Sequence, residues 1–132
     1  MDKRKLMDMA QKMTYKAYSP YNHFVVGAVL VTKDDKIYTG CNIDNLGISS
    51  ICAERVAFAK AISDGKCKKD DFKYIFVAGR HDNTEEYQKT LPCGYCRQFM
   101  SEFVNKNFKI YYYDNGIHSY TLKELLPHNY NL

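Results

Sequence analysis

Leu6, Met9, Ala10, Met13 and Ala17 recur at helical spacing, which predicts an amphipathic helix over residues 2–18. Ser19-Pro20 ends it, because the residue before a proline is driven out of the helical region. Residues 24–31 are a dense run of β-formers and residues 37–43 resume that character after the polar turn Lys33-Asp34-Asp35-Lys36, which together describe a hairpin. Residues 44–51, small and polar, form a loop. From Ala53 the positions Val56, Phe58, Ala59, Ala61 and Ile62 fit a mostly buried helix that stops before Gly65. Residues 73–79 read as a short buried strand, 81–90 as a surface loop and 94–104 as a helix. The chain then predicts a strand over 108–113, a turn at Asp114-Asn115-Gly116, a returning strand over 117–120 and a short closing helix over 122–126.

This order, with no internal repeat and no linker-like stretch, is that of an α/β protein with helices packed on a mixed sheet, and 132 residues suit one domain spanning 1–132. A helix between parallel neighbouring strands would make a right-handed crossover. The formal charge of +4 comes from basic residues interleaved with acids, as in Lys66-Cys67-Lys68-Lys69-Asp70-Asp71. That pattern describes a solvated surface rather than a phosphate-binding stripe, so no nucleic acid polymer is expected as partner. No stretch approaches membrane-spanning length and the N-terminal residues lack the apolar core of a secretory signal. Five cysteines, two of them in Cys93-Gly94-Tyr95-Cys96, suit a reducing compartment with metal or redox chemistry, and a cytoplasmic location is expected.

Cys52 and Glu54 stand at the predicted start of one helix, and Cys93 and Cys96 at the start of another, just after Pro92. The free amide hydrogens and dipole of a helix N-terminus stabilise negative charge, so thiolates are favoured there. A separation of three puts the Cys93 and Cys96 side chains on one side of the first turn, and Cys52 would make a third ligand. Three ligands leave one tetrahedral position of a zinc ion open, as catalysis requires. Taken alone, the same cysteines also fit a structural zinc module that recruits a fourth ligand, a redox dithiol of the Cys-x-x-Cys type, or inert buried thiols. Glu54 beside such a site is suited to move protons for a hydrolytic reaction, where otherwise it would merely favour the helix dipole.

Cys-x-Glu followed by Pro-Cys-x-x-Cys is the signature of zinc nucleoside and nucleobase deaminases. The chain resembles the cytidine deaminase family, specifically its small homotetrameric three-cysteine branch. The resemblance rests on five segments in order: Ala17 to Ala28 (AYSPYNHFVVGA), Gly40-Cys41-Asn42-Ile43, Cys52-Ala53-Glu54-Arg55, Pro92 to Gln98 (PCGYCRQ), and Glu124-Leu125-Leu126-Pro127. It implies a three-layer α/β/α fold around a five-stranded mixed sheet and one Zn2+ per subunit. The implied reaction, a step in pyrimidine salvage, removes the 4-amino group of cytidine and deoxycytidine by hydrolysis, with Glu54 as proton shuttle. By the same resemblance Phe24 packs against the pyrimidine, Asn42 and Asp44 hold the ribose hydroxyl, the Ala53 amide contacts the base carbonyl and the Pro92 carbonyl receives the amino group. Arg55 would donate hydrogen bonds to the thiolates and draw off their charge. The family further implies a homotetramer with shared active sites, in which Tyr130, standing where relatives usually carry Phe, reaches a neighbour.

The chain departs from the family pattern after Asn42. Asp44 replaces the usual Glu, Leu46-Gly47-Ile48 replaces a small-small-Tyr stretch, and the loop to Cys52 is one residue shorter than in close relatives, whereas the 81–90 loop is longer. These changes make a deaminase of a modified cytosine nucleoside, such as blasticidin S, the nearest rival. A polynucleotide-editing deaminase would want an extended basic segment interleaved with aromatics, which is missing.

Overall fold

In the computed structural model, which describes residues 1–130, the central strand β1 (Phe24–Thr32) carries an almost unbroken run of buried positions. It can do so because it is covered on both faces and paired on both edges. β2 (Ile37–Cys41) joins it as an antiparallel hairpin, with Asp35 at positive φ in the turn. β3 (Phe72–His81) pairs antiparallel with the other edge of β1. β4 (Lys109–Tyr113) lies parallel to β3, and β5 (Ile117–Thr121) closes the sheet as an antiparallel edge in the order β2-β1-β3-β4-β5.

Alternation along the strands sorts side chains into two cores. Val29, Val31, Phe76, Ala78 and Tyr111 face α1 (Lys3–Met13), which buries Leu6, Met7 and Ala10 against them. Ala28, Leu30, Ile75, Val77 and Ile110 face α2 (Ala53–Ser63) and α3 (Gly94–Ser101), with Phe58 and Met100 fully buried between. A four-residue helix, α4 (Leu122–Leu125), held by a capping box of Thr121 and Glu124, adds Leu122 to the second core. This is the expected three-layer α/β/α arrangement on a five-stranded mixed sheet. Among the described residues no helix is long and apolar enough to cross a membrane.

The differences from the sequence reading are local. The first helix stops at Met13 and passes through a short 3-10 turn, Thr14–Lys16, because the Thr14 hydroxyl turns back to the Gln11 carbonyl (2.6 Å) and Ala17 is extended. The second strand ends at Cys41 rather than at residue 43; Ile43 instead bridges Tyr18 and Ile51. α3 ends at Ser101, three residues early, and β3 runs on to His81, taking two residues from the predicted gap and loop.

The starts of α2 and α3 lie where β2 and β3 end and β1 begins. The chain entering α2 is held there by paired Ile43 and Ile51 amide-carbonyl bonds of 2.9 Å each. Gly40 lets that first turn sit directly on β2: a Cβ there would lie 2.3 Å from the Ala53 carbonyl oxygen and 2.8 Å from the Ala57 nitrogen. Gly27 gives α1 the same close approach on the other face, where a Cβ would meet the Ala10 carbonyl at 2.0 Å. Both obstacles are backbone, so neither can rotate away. Gly40→Ala is therefore expected to destabilise the protein by about 1–3 kcal/mol, measured as a lowered urea midpoint at unchanged slope.

Candidate active site

Cys52 and Cys93 are the N-caps of α2 and α3, and neither side chain caps its helix. Both sulfurs are thereby free to turn toward each other. Cys96, one turn into α3 and fully buried, completes a triangle with Sγ–Sγ separations of 3.6 Å for Cys52 to Cys93 and 3.5 Å for Cys93 to Cys96. All three sulfurs lie within 4.8 Å of one another. Three thiolates around a tetrahedral zinc at about 2.3 Å sit roughly 3.8 Å apart, so the donor set and its spacing fit that ion. Among the described residues no fourth histidine, cysteine or carboxylate joins the group. Cys67 is taken up by the Tyr38 hydroxyl (3.7 Å), and Cys41 stays outside. A dithiol would need two sulfurs, and a closed structural site four; three with an open side is the arrangement of a catalytic metal site.

Glu54 is the second residue of α2 and only 3% exposed. Burial pushes its carboxyl up to about 7, and the charge of Cys52 adds to the rise, against the opposing effects of its own backbone amide and Arg55. A carboxyl poised there can both take and give a proton near neutral pH. Cys52 is drawn the other way, to about 5, first by hydrogen bonding from Cys96 and then by Arg55 and Cys93, all against its desolvation. Cys96 is correspondingly pushed up by its bond to Cys52 and by burial.

Arg55 carries this charge balance. Its Nη2 donates to the Ser50 carbonyl (3.1 Å) and to Cys52 Sγ (3.9 Å), while the guanidinium stacks on the Tyr95 ring at 4.4 Å. Among the described residues the buried Arg55 Nε has no hydrogen-bond partner. Tyr95 lies between the two cysteines of α3, and its role as a platform for Arg55 was invisible in a linear reading.

Phe24 is half-buried on the sheet face that carries α2 and α3, edge-on to His81 at 5.2 Å and opposite it in the strand register. His81, read from sequence as the start of a surface loop, is thus the exposed last residue of β3 beside Phe24. Asn42 is buried and heavily committed: Oδ1 accepts from the Val26 amide (2.8 Å), and Nδ2 donates to the Phe24 carbonyl (3.0 Å) and to Asp44 Oδ2 (3.1 Å). Asp44 also accepts from the Ser19 hydroxyl (3.0 Å), a partner that sequence reasoning missed. Ala53 is fully buried at the first helical position, where its amide has no acceptor within the helix. The Pro92 carbonyl already accepts from Arg97 Nε at 2.7 Å, which leaves it one lone pair. Tyr130 is exposed, and both of its backbone groups bond to the Gln98 amide (2.8 and 3.1 Å).

Because burial raises the Glu54 carboxyl from 4.5 to about 7, the folded protein keeps this proton over a range in which the unfolded chain has lost it. The contribution of Glu54 to the stability of the metal-free protein therefore falls as pH rises through that window and levels off above it, while the lowered Cys52 thiol contributes in the opposite sense in wild type and Glu54→Gln alike. Urea unfolding in the presence of a chelator should show wild-type protein losing roughly 2–3 kcal/mol more than Glu54→Gln between about pH 5 and about pH 8. Parallel pH curves for the two proteins would contradict the assigned burial.

Residues 1–112 match the family model described as the cytidine and deoxycytidylate deaminase zinc-binding region. A cytidine deaminase of Sporosarcina psychrophila is 40% identical over 130 residues, covering 96% of this chain and 90% of its own. A blasticidin-S deaminase of Bacillus cereus is 30% identical over 130 residues, with 95% and 89% covered. The crystal structure of cytidine deaminase from Burkholderia pseudomallei superposes with a TM-score of 0.87 at 32% identity, covering 98% of this chain and all of the other. With the thiol triangle, the buried Glu54 and these likenesses over nearly the whole chain, the protein belongs to the cytidine and deoxycytidylate deaminase zinc-binding family.

Proposed function

We propose that this protein hydrolyses cytidine and deoxycytidine to uridine and deoxyuridine with release of ammonia. The observation that carries this reading is the buried Glu54 on the first turn of the helix whose cap, Cys52, meets Cys93 and Cys96. Those three cysteines would hold one zinc ion per chain, which when bound lowers the pKa of water and so supplies a nucleophile at neutral pH. Glu54 would carry one proton of the attacking water to the ring N3 and then the second, from the hydroxyl added at C4, to the amine, which leaves as ammonia as the C4 carbonyl forms. Its raised pKa, about 7, suits a group that must be base and acid in one cycle.

The surrounding residues orient the nucleoside. Phe24 offers its half-buried ring to the pyrimidine. The Ala53 amide, which has no acceptor within the helix, meets the base carbonyl, and the remaining lone pair of the Pro92 carbonyl meets the amino group. Both Asn42 Nδ2 protons are used internally, so Asn42 and Asp44 present acceptors only and select for a donating ribose hydroxyl. Arg55 offsets the negative charge of three thiolates, which would otherwise weaken the metal as a Lewis acid. Tyr130 would complete a neighbour's site in a homotetramer, and the setting would be cytoplasmic pyrimidine salvage.

Asp44 and the altered 46–51 loop keep a modified cytosine nucleoside as a second reading, supported by the likeness to a blasticidin-S deaminase. Ultraviolet-monitored turnover by zinc-loaded protein decides between them: cytidine and deoxycytidine should be consumed, whereas turnover of blasticidin S alone would overturn the main reading. In the same assay Glu54→Gln should keep its zinc and lose about 10²- to 10⁴-fold in kcat. Asp44→Ala should raise KM for cytidine by roughly tenfold, about the worth of one hydrogen bond to a charged group, with a smaller change in kcat.

A further inference from the structure

The turn that delivers Cys93 is locked from two sides. Proline at 92 has a ring-fixed φ, so the one soft rotation left in that residue is its ψ, which sets the direction of its carbonyl. Arg97 Nε donates to that carbonyl at 2.7 Å. The same guanidinium reaches the end of α4 with its Nη1, which donates to the Leu125 carbonyl at 2.9 Å. Its backbone amide makes the first hydrogen bond of α3, to the Cys93 carbonyl at 3.0 Å. Arg97 thus grips the peptide groups on either side of Cys93, and among the described residues it has no carboxylate partner that would compete for its donors. The next residue, Gln98, pairs with both backbone groups of Tyr130, so the segment after α4 is held to α3 at a second point.

We infer that Arg97 is a positioning residue of the metal centre, holding Cys93 at ligand distance from Cys52 and Cys96 by bracing the Pro92 carbonyl against the C-terminal end of α4. Cys93 is the exposed member of the three, and its side chain has no cap bond to hold it. Without the brace the Pro92 peptide is free to turn, and Cys93 moves with it. Arg55 acts on the sulfur of Cys52 directly, whereas Arg97 touches no sulfur and works through backbone position. Lysine cannot replace it, because a single ammonium lacks the planar fork that spans two carbonyls. The inference rests on Cys52, Cys93 and Cys96 being zinc ligands.

The test is the rate at which zinc-loaded protein surrenders its metal to a chromogenic chelator, measured well below the unfolding temperature for wild type, Arg97→Lys, Arg97→Met and Tyr38→Phe. Tyr38 donates to Asp64 at 2.5 Å near the far end of α2, so its loss reports on general destabilisation alone. Both Arg97 variants should release zinc about tenfold faster than wild type, while Tyr38→Phe lowers the melting temperature and leaves the release rate alone. Release by Arg97→Lys at the wild-type rate, or acceleration in Tyr38→Phe to match it, overturns the positioning role; should Arg97→Met fail to fold, Arg97→Lys decides. A wild-type protein that holds no zinc overturns it together with the ligand assignment. Wild-type protein that holds zinc but leaves cytidine untouched refutes the proposed reaction, and the release rates then still decide for or against Arg97.

Discussion

The fold depends on bringing two helix N-termini to one end of a sheet and closing them over a carboxyl group that has almost no solvent. Helix starts expose unpaired amide hydrogens and the positive end of the dipole. Two of them converging would repel unless something negative stood between. Here that something is a set of three sulfurs, with Cys52 drawn toward the thiolate and Glu54 buried beside it. The same convergence explains why Gly40 must lack a side chain and why Arg55 is drawn in to balance the charge.

Burial sets the two acidities in opposite directions. Glu54 rises because it is desolvated, and Cys52 falls because neighbouring donors outweigh its desolvation. A site that must both hold a metal and return a proton needs that split: thiolates available at neutral pH and a carboxyl that changes state near it. The cost is a buried acid in the metal-free protein, which places part of the folding stability at the disposal of pH and of metal occupancy.

The residues that the proposed function gives to the ribose form a hydrogen-bonded set of their own. Asn42, Asp44 and Ser19 form one hydrogen-bonded set that joins the segment after the first helix to the end of β2. Asp44, one methylene shorter in reach than Glu, is oriented by two donors and so is pre-placed rather than mobile. The exposed Leu46 and Ile48 lie in the adjoining loop, where the family pattern is also broken. On the proposed function the segment of Asn42 and Asp44 meets the ribose, while the chemistry and the base contacts of Ala53 and Pro92 both fall at the helix starts.

Element order, helical and strand periodicity, and the candidate roles of Cys52, Glu54, Cys93 and Cys96 were all legible along the chain. Hydrophobic spacing and ligand spacing are local properties, and a chain read in one dimension retains them. It also marked Phe24, Asn42, Asp44, Ala53 and Pro92, though only through likeness, since nothing local distinguishes them from core and turn residues. Packing in three dimensions was needed to bring Cys52 within 3.6 Å of Cys93 across 41 positions of chain, Tyr95 under Arg55, His81 beside Phe24, and Arg97 between Pro92 and Leu125. Each of these depends on strand register and helix packing, which arise from contacts between distant segments. The early stop of the first helix has the same origin: a 2.6 Å bond from Thr14 to Gln11, with Thr14 held in turn by Arg80 from β3, outweighs a periodicity that would have carried the helix further.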